Sequence, residues 1–444
     1  MSVLDNPSLK LPPVPISSKD PGSAEFRDLV RFVCFLIPPK ASVLVLGAHR
    51  ETLIEHLAPR RVVDFESKKS LDEKFDFILV AQALPYLKDI QGTLSALQKF
   101  ARPQTRLVII SPSYRWAPLR KLVEMFKGCG APRDENWLSP YDLLCLLHLS
   151  GYELIQRGSR FFFPFEVPFL TRLINGFLMN LPVLNRLCLT EYYVARPAPS
   201  LQMNDVFVSV IIPARNEKGN IEKAVTRMPR FGARMELIFV EGHSKDGTLE
   251  EIERVREKYR GEWNIQVIRQ TGEGKGDAVR KGFEAARGEL FMILDADLTV
   301  PPEELPKFYD ALATGKGELV MGSRLVYPLE KDSMRFLNVM GNQMFSMLLN
   351  WILGMPIKDT LCGTKALFRN HYDLIREGRT YFGDFDPFGD FDLILGAAKL
   401  QLKILEIPIR YQARSYGRTN IRRFYHAWLL FKTSFFAFRK FKLV

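Results

Sequence analysis

Cysteine is scarce in this sequence: five of its 444 residues are cysteine, and no two of them form a Cys-x-x-Cys pair. The five are Cys34, Cys129, Cys145, Cys188 and Cys362. A scattered, odd-numbered set argues against a disulfide framework and against a structural zinc site. We therefore expect a protein of a reducing compartment that holds no zinc.

Long apolar runs are also absent. No run of about 18 apolar residues, the length that a membrane-spanning helix needs, is found. The nearest candidate, MFSMLLNWILGM (344–355), is shorter and contains Asn350. The N-terminus lacks the basic-then-apolar pattern of a leader peptide. These features predict a cytoplasmic protein that reaches a membrane only at its surface.

Acidic residues are outnumbered, 50 against 62 lysines and arginines, which gives a net charge of +12. An excess of positive charge favours an anionic partner: nucleic acid, a membrane surface or a phosphorylated ligand. Nucleic acid is disfavoured because the chain has no base-reading motif and no zinc module. Residues 409–444 contain nine lysines and arginines, no acidic residue and many aromatic ones. This composition predicts a basic amphipathic segment on a membrane surface, with 336–355 as a second candidate.

The pattern of strands and helices divides the chain into two α/β halves. A Pro- and Ser-rich tail (1–23) precedes a first domain (24–200), and a polar linker near 197–206 leads to a second domain (207–408). Strands alternate with helices in both halves, which predicts two doubly wound, mostly parallel sheets. Predicted strands of the first half include 61–65, 106–113 and 191–197, and strand-containing segments of the second include 207–217, 235–248, 289–300 and 318–328.

The stretch ILDADLTV (293–300) places two aspartates at the end of an apolar strand. Asp295 and Asp297 could hold Mg²⁺ or Mn²⁺, hard cations that take carboxylate and phosphate oxygens. The pattern also fits a phosphatase with Asp295 as nucleophile and Asp297 as acid/base. A third interpretation is two solvated turn residues. The pair alone does not decide among these.

Three strand–helix units precede the aspartate pair, whereas the phosphatase motif opens its domain. Each of these units ends in polar residues: Asn216 and Glu217, then Glu241 and Asp246, then Gly274-Lys275-Gly276. In an open α/β sheet, ligands bind at the carboxyl ends of the strands. Four strand ends converging on one nucleotide account for the whole set, so the metal interpretation is favoured.

The motifs SVIIPARNE, VEGHSKDGT, GEGKGDAVRKGFEAARG, LDADLTVPPE and GSR resemble the family-2 glycosyltransferases of GT-A fold. The resemblance spans about 207–423 and points to the dolichyl- or polyprenyl-phosphate sugar transferases. It implies metal-dependent, inverting transfer from GDP-mannose or a UDP-hexose to a polyprenyl phosphate. Glu241-Gly242 stands where many relatives have two aspartates, which leaves the nucleotide less certain.

The resemblance also implies roles for single residues. The nucleotide-sugar site would comprise Pro213, Arg215, Glu217, Glu241, Asp246, Lys275 and Asp295. The metal ligands would be Asp295, Asp297 and Thr299, with Asp297 acting in catalysis. Asp359 would contact a sugar hydroxyl, and Cys362 would be a packed small residue rather than a nucleophile.

A phosphate acceptor is already an anion, so it needs cations rather than a general base. The candidates to hold it are Arg324, Arg335, Arg414 and Arg418, with Arg324 also acting in catalysis. A glycan or other hydroxyl acceptor would need a base instead, for which Asp390 and Asp392 are candidates. A binding protein with both domains degenerate is the remaining alternative.

The first half resembles class I S-adenosylmethionine-dependent methyltransferases over about 25–197. The resemblance rests on VLVLGAHRETL, RVVDFE, FDFILVAQALPYL, RLVIISPS and LLHLSGYELI. It implies a Rossmann-like fold, with Asp64 or Glu66 on the ribose of the cofactor. Ala48, His49 and Arg50 follow Gly47 where such enzymes carry further glycines, and their side chains would crowd the cofactor. We expect a degenerate domain that acts as a scaffold, with sugar methylation as the alternative.

Overall fold

The computed structural model describes residues 23–47, 50–57, 61–65, 73–119, 135–165, 167, 169–181, 184–199, 203, 205–327, 336–381, 391–417 and 423–443. Within them the chain is a mixed α/β protein with two sheets, which confirms the predicted fold class at that level. It forms two compact units. The first ends at Ala198 and includes the C-terminal residues from Arg439, and the second runs from Pro199 to Phe438.

The first unit is built on a six-stranded sheet in the order β2-β1-β3-β4-β6-β5. Its strands are β1 (Ser42–Gly47), β2 (Arg61–Asp64), β3 (Phe75–Ala81), β4 (Ala101–Pro112), β5 (Tyr152–Arg160) and β6 (Thr190–Pro197). The helices described in this unit are α1 (Ala24–Leu36), α2 (Arg50–His56), α3 (Ile90–Leu97), α4 (Pro140–Leu149) and α5 (Leu170–Gly176). Only β6 runs antiparallel to its neighbours in this sheet, so it is mostly parallel, as predicted.

Local sequence explains where these elements begin and end. Helix α4 begins with a capping box between Ser139 and Asp142 and has Pro140 at its first position. Gly47 ends β1 with a φ of +136°, and a Cβ atom there would lie 2.0 Å from the carbonyl oxygen of Ala81. Only glycine fits this position, so Gly47 is explained by packing between β1 and β3. Of the residues after it, Ala48 and His49 lie outside the described part, as does Glu66.

The second unit has a seven-stranded sheet in the order β13-β11-β12-β10-β7-β8-β9. Its strands are β7 (Phe207–Ala214), β8 (Arg234–Glu241), β9 (Asn264–Arg269), β10 (Leu290–Ile293), β11 (Leu319–Ser323), β12 (Lys365–Phe368) and β13 (Ile404–Pro408). Strand β12 is antiparallel to β10 and β11. The sequence analysis identified neither β12 nor β13.

The described helices of the second unit lie between and after these strands. They are α6 (Lys218–Thr226), α7 (Thr248–Lys258), α8 (Gly274–Ala285), α9 (Leu305–Ala313), α10 (Phe336–Leu353), α11 (Arg369–Glu377), α12 (Phe391–Lys399) and α13 (Arg423–Phe441). The central strands are continuous apolar runs because helices cover the sheet. No helix in the described part of the chain is both long and apolar enough to cross a bilayer.

One carboxylate lies in the core of the second unit. Glu236 of β8 is fully buried, and it accepts hydrogen bonds from the Ser209 hydroxyl (2.5 Å), the Gln266 amide (2.8 Å) and the Arg287 backbone N–H (2.7 Å). These three donors come from β7, from β9 and from the turn before β10. A single side chain therefore joins three neighbouring strands.

We expect Glu236→Ala to lower the free energy of unfolding of the second unit by about 3 kcal/mol, because three buried or half-buried donors lose their acceptor. Urea denaturation followed by near-ultraviolet circular dichroism measures the loss. Glu257→Ala, at an exposed position of α7, is the matched control and should have almost no effect. Equal midpoints for the two variants would contradict this account.

Candidate functional site

The loops after β7, β8, β9 and β10 meet at one edge of the second sheet. These strands are parallel neighbours, with Ala214 opposite Glu241 and Ile211 opposite Ile293. Their carboxyl ends therefore point the same way, and the polar residues that follow them become neighbours. The spacing of the sequence predicted this arrangement.

The aspartate pair lies at this edge and carries two cationic partners. Asp295 Oδ1 is 2.6 Å from Lys275 Nζ, which comes from the first turn of α8. Asp297 Oδ2 accepts a hydrogen bond of 2.6 Å from Arg414 Nη2. The other oxygen, Asp297 Oδ1, accepts from the backbone N–H and the hydroxyl of Thr299, at 3.1 and 2.8 Å. Both carboxylates are thus oriented and neutralised by the protein itself.

The loop before β12 packs closely on Asp295. A Cβ atom at Gly363 would lie 2.2 Å from both Asp295 Oδ2 and Lys275 Nζ, so only glycine leaves room for this pair. Burial would raise the pKa of Asp295, but Lys275, with Lys365 and Arg324, holds that pKa below its usual range. Asp295 is therefore ionised at neutral pH, as a metal ligand must be.

Glu217, Glu241 and Asp246, three residues predicted to contact the nucleotide, lie at or just after the ends of β7 and β8 at the same edge. Glu217 is buried; its Oε1 accepts from Arg414 Nη1 and its Oε2 from Asn220 Nδ2, both at 2.8 Å. Glu241, also buried, accepts from the backbone N–H of Ser244. Asp246 accepts from the backbone N–H groups of Thr248 and Lys218, at 3.1 and 3.2 Å.

Two further residues of the predicted set flank this group. Pro213 is half-buried near the end of β7, and Arg215 is exposed directly after that strand. Both lie on the loop side of the sheet where the nucleotide was predicted to bind.

Residues 412–416 lie across this edge of the sheet. The Gln412 backbone N–H donates to the Thr299 carbonyl at 2.8 Å, and Arg414 bridges Glu217 and Asp297. The Ser415 hydroxyl donates to Asn220 Oδ1 at 3.2 Å, and the Tyr416 hydroxyl donates to Asp246 Oδ2 at 3.3 Å. The segment thus connects Asp297 and Thr299 with Glu217, Asn220 and Asp246.

Sequence reasoning missed Asn220, Ser415 and Tyr416. In the stretch ARSYGRTNI, the tyrosine between the two arginines is the available signal. A Cβ atom at Gly219 would lie 2.5 Å from the Tyr416 ring, so the ring rests on the first turn of α6. Arg414, predicted to hold the acceptor phosphate, instead contacts the acidic residues on the donor side.

Arg324 forms a buried ion pair with Asp359. Its backbone N–H, Nε and Nη2 donate to the Asp359 carboxylate at 3.0, 2.7 and 2.8 Å, and Asn342 Nδ2 donates to the same carboxylate at 2.8 Å. Burial opposes charge on both partners, but each stabilises the other's charged form: the pKa of Asp359 is lowered and that of Arg324 raised. Arg324 is therefore cationic, with one side of its guanidinium bound to Asp359.

The remaining predicted residues are placed as follows. Arg335, Arg418 and Asp390 lie outside the described residues. Asp392, in the first turn of α12, pairs with Arg379, whose Nη2 lies 3.0 Å from Asp392 Oδ2. Cys362 is fully buried, and burial raises the pKa of its thiol to about 11, which agrees with a packed residue rather than a nucleophile.

The donor set at the aspartate pair fits a hard divalent cation. The described part of the chain contains no cluster of three or more His, Cys, Asp or Glu side chains that could hold a metal ion. Mg²⁺ commonly takes one or two protein carboxylates and completes its shell with phosphate oxygens and water. Asp295 and Asp297 match that requirement. The Thr299 hydroxyl orients Asp297 here, and its predicted role as a metal ligand remains a prediction.

These features place ionised carboxylates and two cations together at the edge of an α/β sheet. Residues 209–374 match the family described as Glycosyl transferase family 2. These residues lie within the second unit, and their match supports the glycosyltransferase activity predicted from the motifs. The match also argues against the phosphatase interpretation of the aspartate pair.

Individual relatives agree with this assignment. A dolichol-phosphate mannosyltransferase of Pyrococcus furiosus is 31% identical over 224 residues, which cover 48% of this chain and 59% of the relative. A dolichol-phosphate mannosyltransferase of Saccharomyces cerevisiae is 41% identical over 110 residues, 23% of this chain and 40% of the relative. The chain thus spans about half the length of these relatives.

A solved structure is also similar at a low level. Glucosyl-3-phosphoglycerate synthase from Mycobacterium tuberculosis, in complex with Mn²⁺, UDP and glucosyl-3-phosphoglycerate, matches with a TM-score of 0.40 and 20% identity. The match covers 53% of this chain and 80% of that one.

Removing Arg414 should make the second unit depend on an added cation. In Arg414→Ala, Glu217 and Asp297 lose their shared positive partner, so we expect lower thermal stability without metal. Mg²⁺ should then raise the melting temperature of the variant by about 3 °C more than that of the wild type, because the cation replaces the lost charge. Arg410→Ala, at an exposed position four residues earlier, is the control. An equal Mg²⁺ effect in all three proteins would disprove the charge-replacement argument.

Glu217 predicts a specific pH dependence of stability. Burial raises the pKa of Glu217 from 4.5 to about 7, although Arg414 and Asn220 oppose the shift. A carboxylic acid with a raised pKa stabilises the folded state below its unfolded pKa, and this contribution is lost as pH rises through the folded value. The stability advantage of wild type over Glu217→Gln should therefore fall by at most about 3 kcal/mol between pH 4.5 and 7.5. Urea denaturation across that range measures it, and parallel profiles would contradict the raised pKa.

Proposed function

We propose that this chain transfers a sugar from a nucleotide-sugar donor to a polyprenyl phosphate, with inversion at the anomeric carbon, at a membrane surface. The observation that carries the proposal is the pairing of Asp295 with Lys275 and of Asp297 with Arg414. A metal-bound diphosphate needs carboxylates to hold the metal ion and cationic side chains to hold the phosphate oxygens. These two ion pairs bring both kinds of group to one sheet edge. The second unit is proposed to have the GT-A fold of such enzymes.

On the donor side, Asp295 and Asp297 would hold Mg²⁺ or Mn²⁺. The bound ion supplies neutralisation of charge on the departing diphosphate. Once the carboxylates are satisfied in this way, Lys275 and Arg414 can turn from them to the diphosphate oxygens. Glu217, Glu241 and Asp246 would contact the nucleoside, with the Tyr416 ring beside them. GDP-mannose and a UDP-hexose are the proposed donors, the first supported by the names of the relatives.

On the acceptor side, a lipid phosphate attacks the anomeric carbon as an anion and gives up no proton. Arg324, charged and fixed in direction by Asp359, is proposed to attract it together with Arg335 and Arg418. The alternative acceptor, a hydroxyl group, would need a free base. The Asp392 carboxylate is already engaged by Arg379, which favours the phosphate acceptor.

A peripheral membrane position is supported by exposed apolar side chains in the second unit. Met340, Met344 and Met347 form an exposed stripe along α10. Trp428, Phe431 and Phe435 form another along α13, with exposed Lys432 beside them. The two helices are joined where the Trp351 and Phe438 rings stack at 5.3 Å. Apolar and basic side chains on adjacent helices suit the surface of an anionic membrane.

The first unit is proposed to be a methyltransferase-like scaffold. Its parallel sheet with a single antiparallel strand is compatible with the Rossmann-like fold predicted from the sequence. Asp64, the proposed ribose contact, is half-buried at the end of β2. S-adenosylmethionine has no part in the proposed transfer, and a sugar methyltransferase activity remains the alternative.

The reaction is tested by incubating the full chain with Mg²⁺ or Mn²⁺, a short polyprenyl phosphate in detergent, and radiolabelled GDP-mannose, UDP-glucose or UDP-N-acetylglucosamine. We expect label to enter the organic phase with one of these donors. Asp297→Ala should reduce the rate at least about 100-fold, because charge on the leaving diphosphate is no longer stabilised. Asp310→Ala, an exposed aspartate of α9, should react like the wild type.

If donors bind in the presence of metal but none labels the lipid, the phosphate acceptor is wrong. A hydroxyl acceptor then takes its place, and Asp392→Asn becomes the decisive variant. If Asp297→Ala transfers sugar at the wild-type rate, the metal role of the aspartate pair fails.

A further inference from the structure

Helix α5 and the residues before it carry a large exposed apolar surface in the first unit. We call it the apolar ridge. Its members, with their exposed fractions, are Phe165 (64%), Val167 (42%), Phe169 (81%), Leu170 (40%), Leu173 (40%) and Phe177 (46%). Together they expose on the order of 500 Å² of apolar side chain, near the upper end of what a soluble monomer shows.

The ridge is held in place by two half-buried polar side chains. The Thr171 hydroxyl donates to the Phe165 carbonyl at 2.6 Å and accepts from the Val167 N–H at 2.9 Å. Asn175 Oδ1 accepts from the backbone N–H groups of Phe162 and Phe163, at 3.0 and 2.8 Å. The exposed side chains therefore sit on a fixed backbone and do not belong to a fraying loop.

Phe169 shows most clearly that this exposure is built into the fold. Its φ is +64°, in the left-handed region that a phenylalanine rarely adopts. This conformation costs free energy, and it precedes a helix that then presents Phe169, Leu173 and Phe177 at intervals of four residues on one face. A strained backbone that directs an aromatic ring into solvent indicates a partner for that ring.

The C-terminal residues contact the segment that follows the ridge. Asn180 Nδ2 donates to the Lys442 carbonyl at 2.8 Å, and the Phe35 and Phe441 rings meet at 6.0 Å. Exposed Arg439 and half-buried Lys440 therefore belong to the same unit as the ridge. The stretch of sequence that carries the ridge, residues 161–181, contains only two charged residues, Glu166 and Arg172.

We propose that the apolar ridge inserts into the surface of an anionic lipid bilayer. Exposed aromatic and aliphatic side chains suit the boundary between headgroups and acyl chains, and the lysine and arginine side chains of the same unit's C-terminus suit anionic headgroups. The inference deepens the proposed function and rests on it for its purpose, since it gives the first unit a role in holding the enzyme at its lipid acceptor. Binding to vesicles without any acceptor tests it separately.

The experiment measures co-sedimentation of the full chain with vesicles of phosphatidylcholine alone or mixed with phosphatidylglycerol. The double variant Phe165→Ser, Phe169→Ser should bind the mixed vesicles at least about tenfold more weakly than the wild type. Tyr141→Ser with Leu149→Ser, two comparably exposed positions of α4, is the matched control and should bind normally. Equal binding of the wild type and both double variants would overturn the proposal.

A conservative substitution guards against misfolding of the serine variants. Phe169→Trp should show a blue-shifted difference spectrum, relative to the wild type, when mixed vesicles are added, and Leu149→Trp should not. No shift for Phe169→Trp overturns the proposal. A wild type that is dimeric without lipid, and a ridge variant that is monomeric yet binds vesicles normally, would assign the ridge to a second copy of the chain and also overturn it.

Transfer in detergent separates this inference from the proposed function. The ridge variant should keep its rate with a short polyprenyl phosphate in detergent, because none of its residues lies in the described site. If the wild type shows no transfer there, but the ridge variant has lost vesicle binding, the proposed function fails and the membrane contact stands.

Discussion

The second unit depends on one electrostatic constraint. Carboxylates that lie together at a sheet edge repel one another, so nearby cations must neutralise their charge. Asp295, Asp297 and Glu217 come from loops that parallel strands bring together. Like charges that lie close to one another repel. Lys275 and Arg414 supply the balance, each at hydrogen-bonding distance. The unit therefore keeps two cations beside the place where a diphosphate is proposed to bind.

Arg414 gives this balance a long reach along the chain. It lies 197 residues from Glu217 and 117 from Asp297, and its two terminal nitrogens contact one carboxylate each. The neighbouring Ser415 and Tyr416 extend the contact to Asn220 and Asp246. A loop near the end of the unit thus packs on residues that follow its first strand. The ion pairs of Arg414 with Glu217 and Asp297 hold this loop in place.

Sequence reasoning predicted the convergence of these strand ends because its signals are local. An apolar strand followed by polar residues identifies a strand end, and parallel topology then brings such ends together, as with Glu241 and Asp297. Contacts between side chains that lie far apart in the sequence produce no such local pattern. Nothing in ARSYGRTNI indicates that Arg414 faces carboxylates rather than the acceptor, or that Arg324 is held by Asp359. Strands β12 and β13 were missed because both are short and one is antiparallel.

The pair of Arg324 and Asp359 shows how an arginine side chain can stay charged although it is largely buried. Glu406 on β13 accepts the backbone N–H groups of Lys358 and Asp359, which fixes the loop that carries Asp359. Asp359 in turn accepts from Arg324 and Asn342, so its charge is fully satisfied. A cation fixed from behind by a carboxylate loses little entropy when it meets a second anion. The same reasoning applies at Lys275, which Asp295 holds in place.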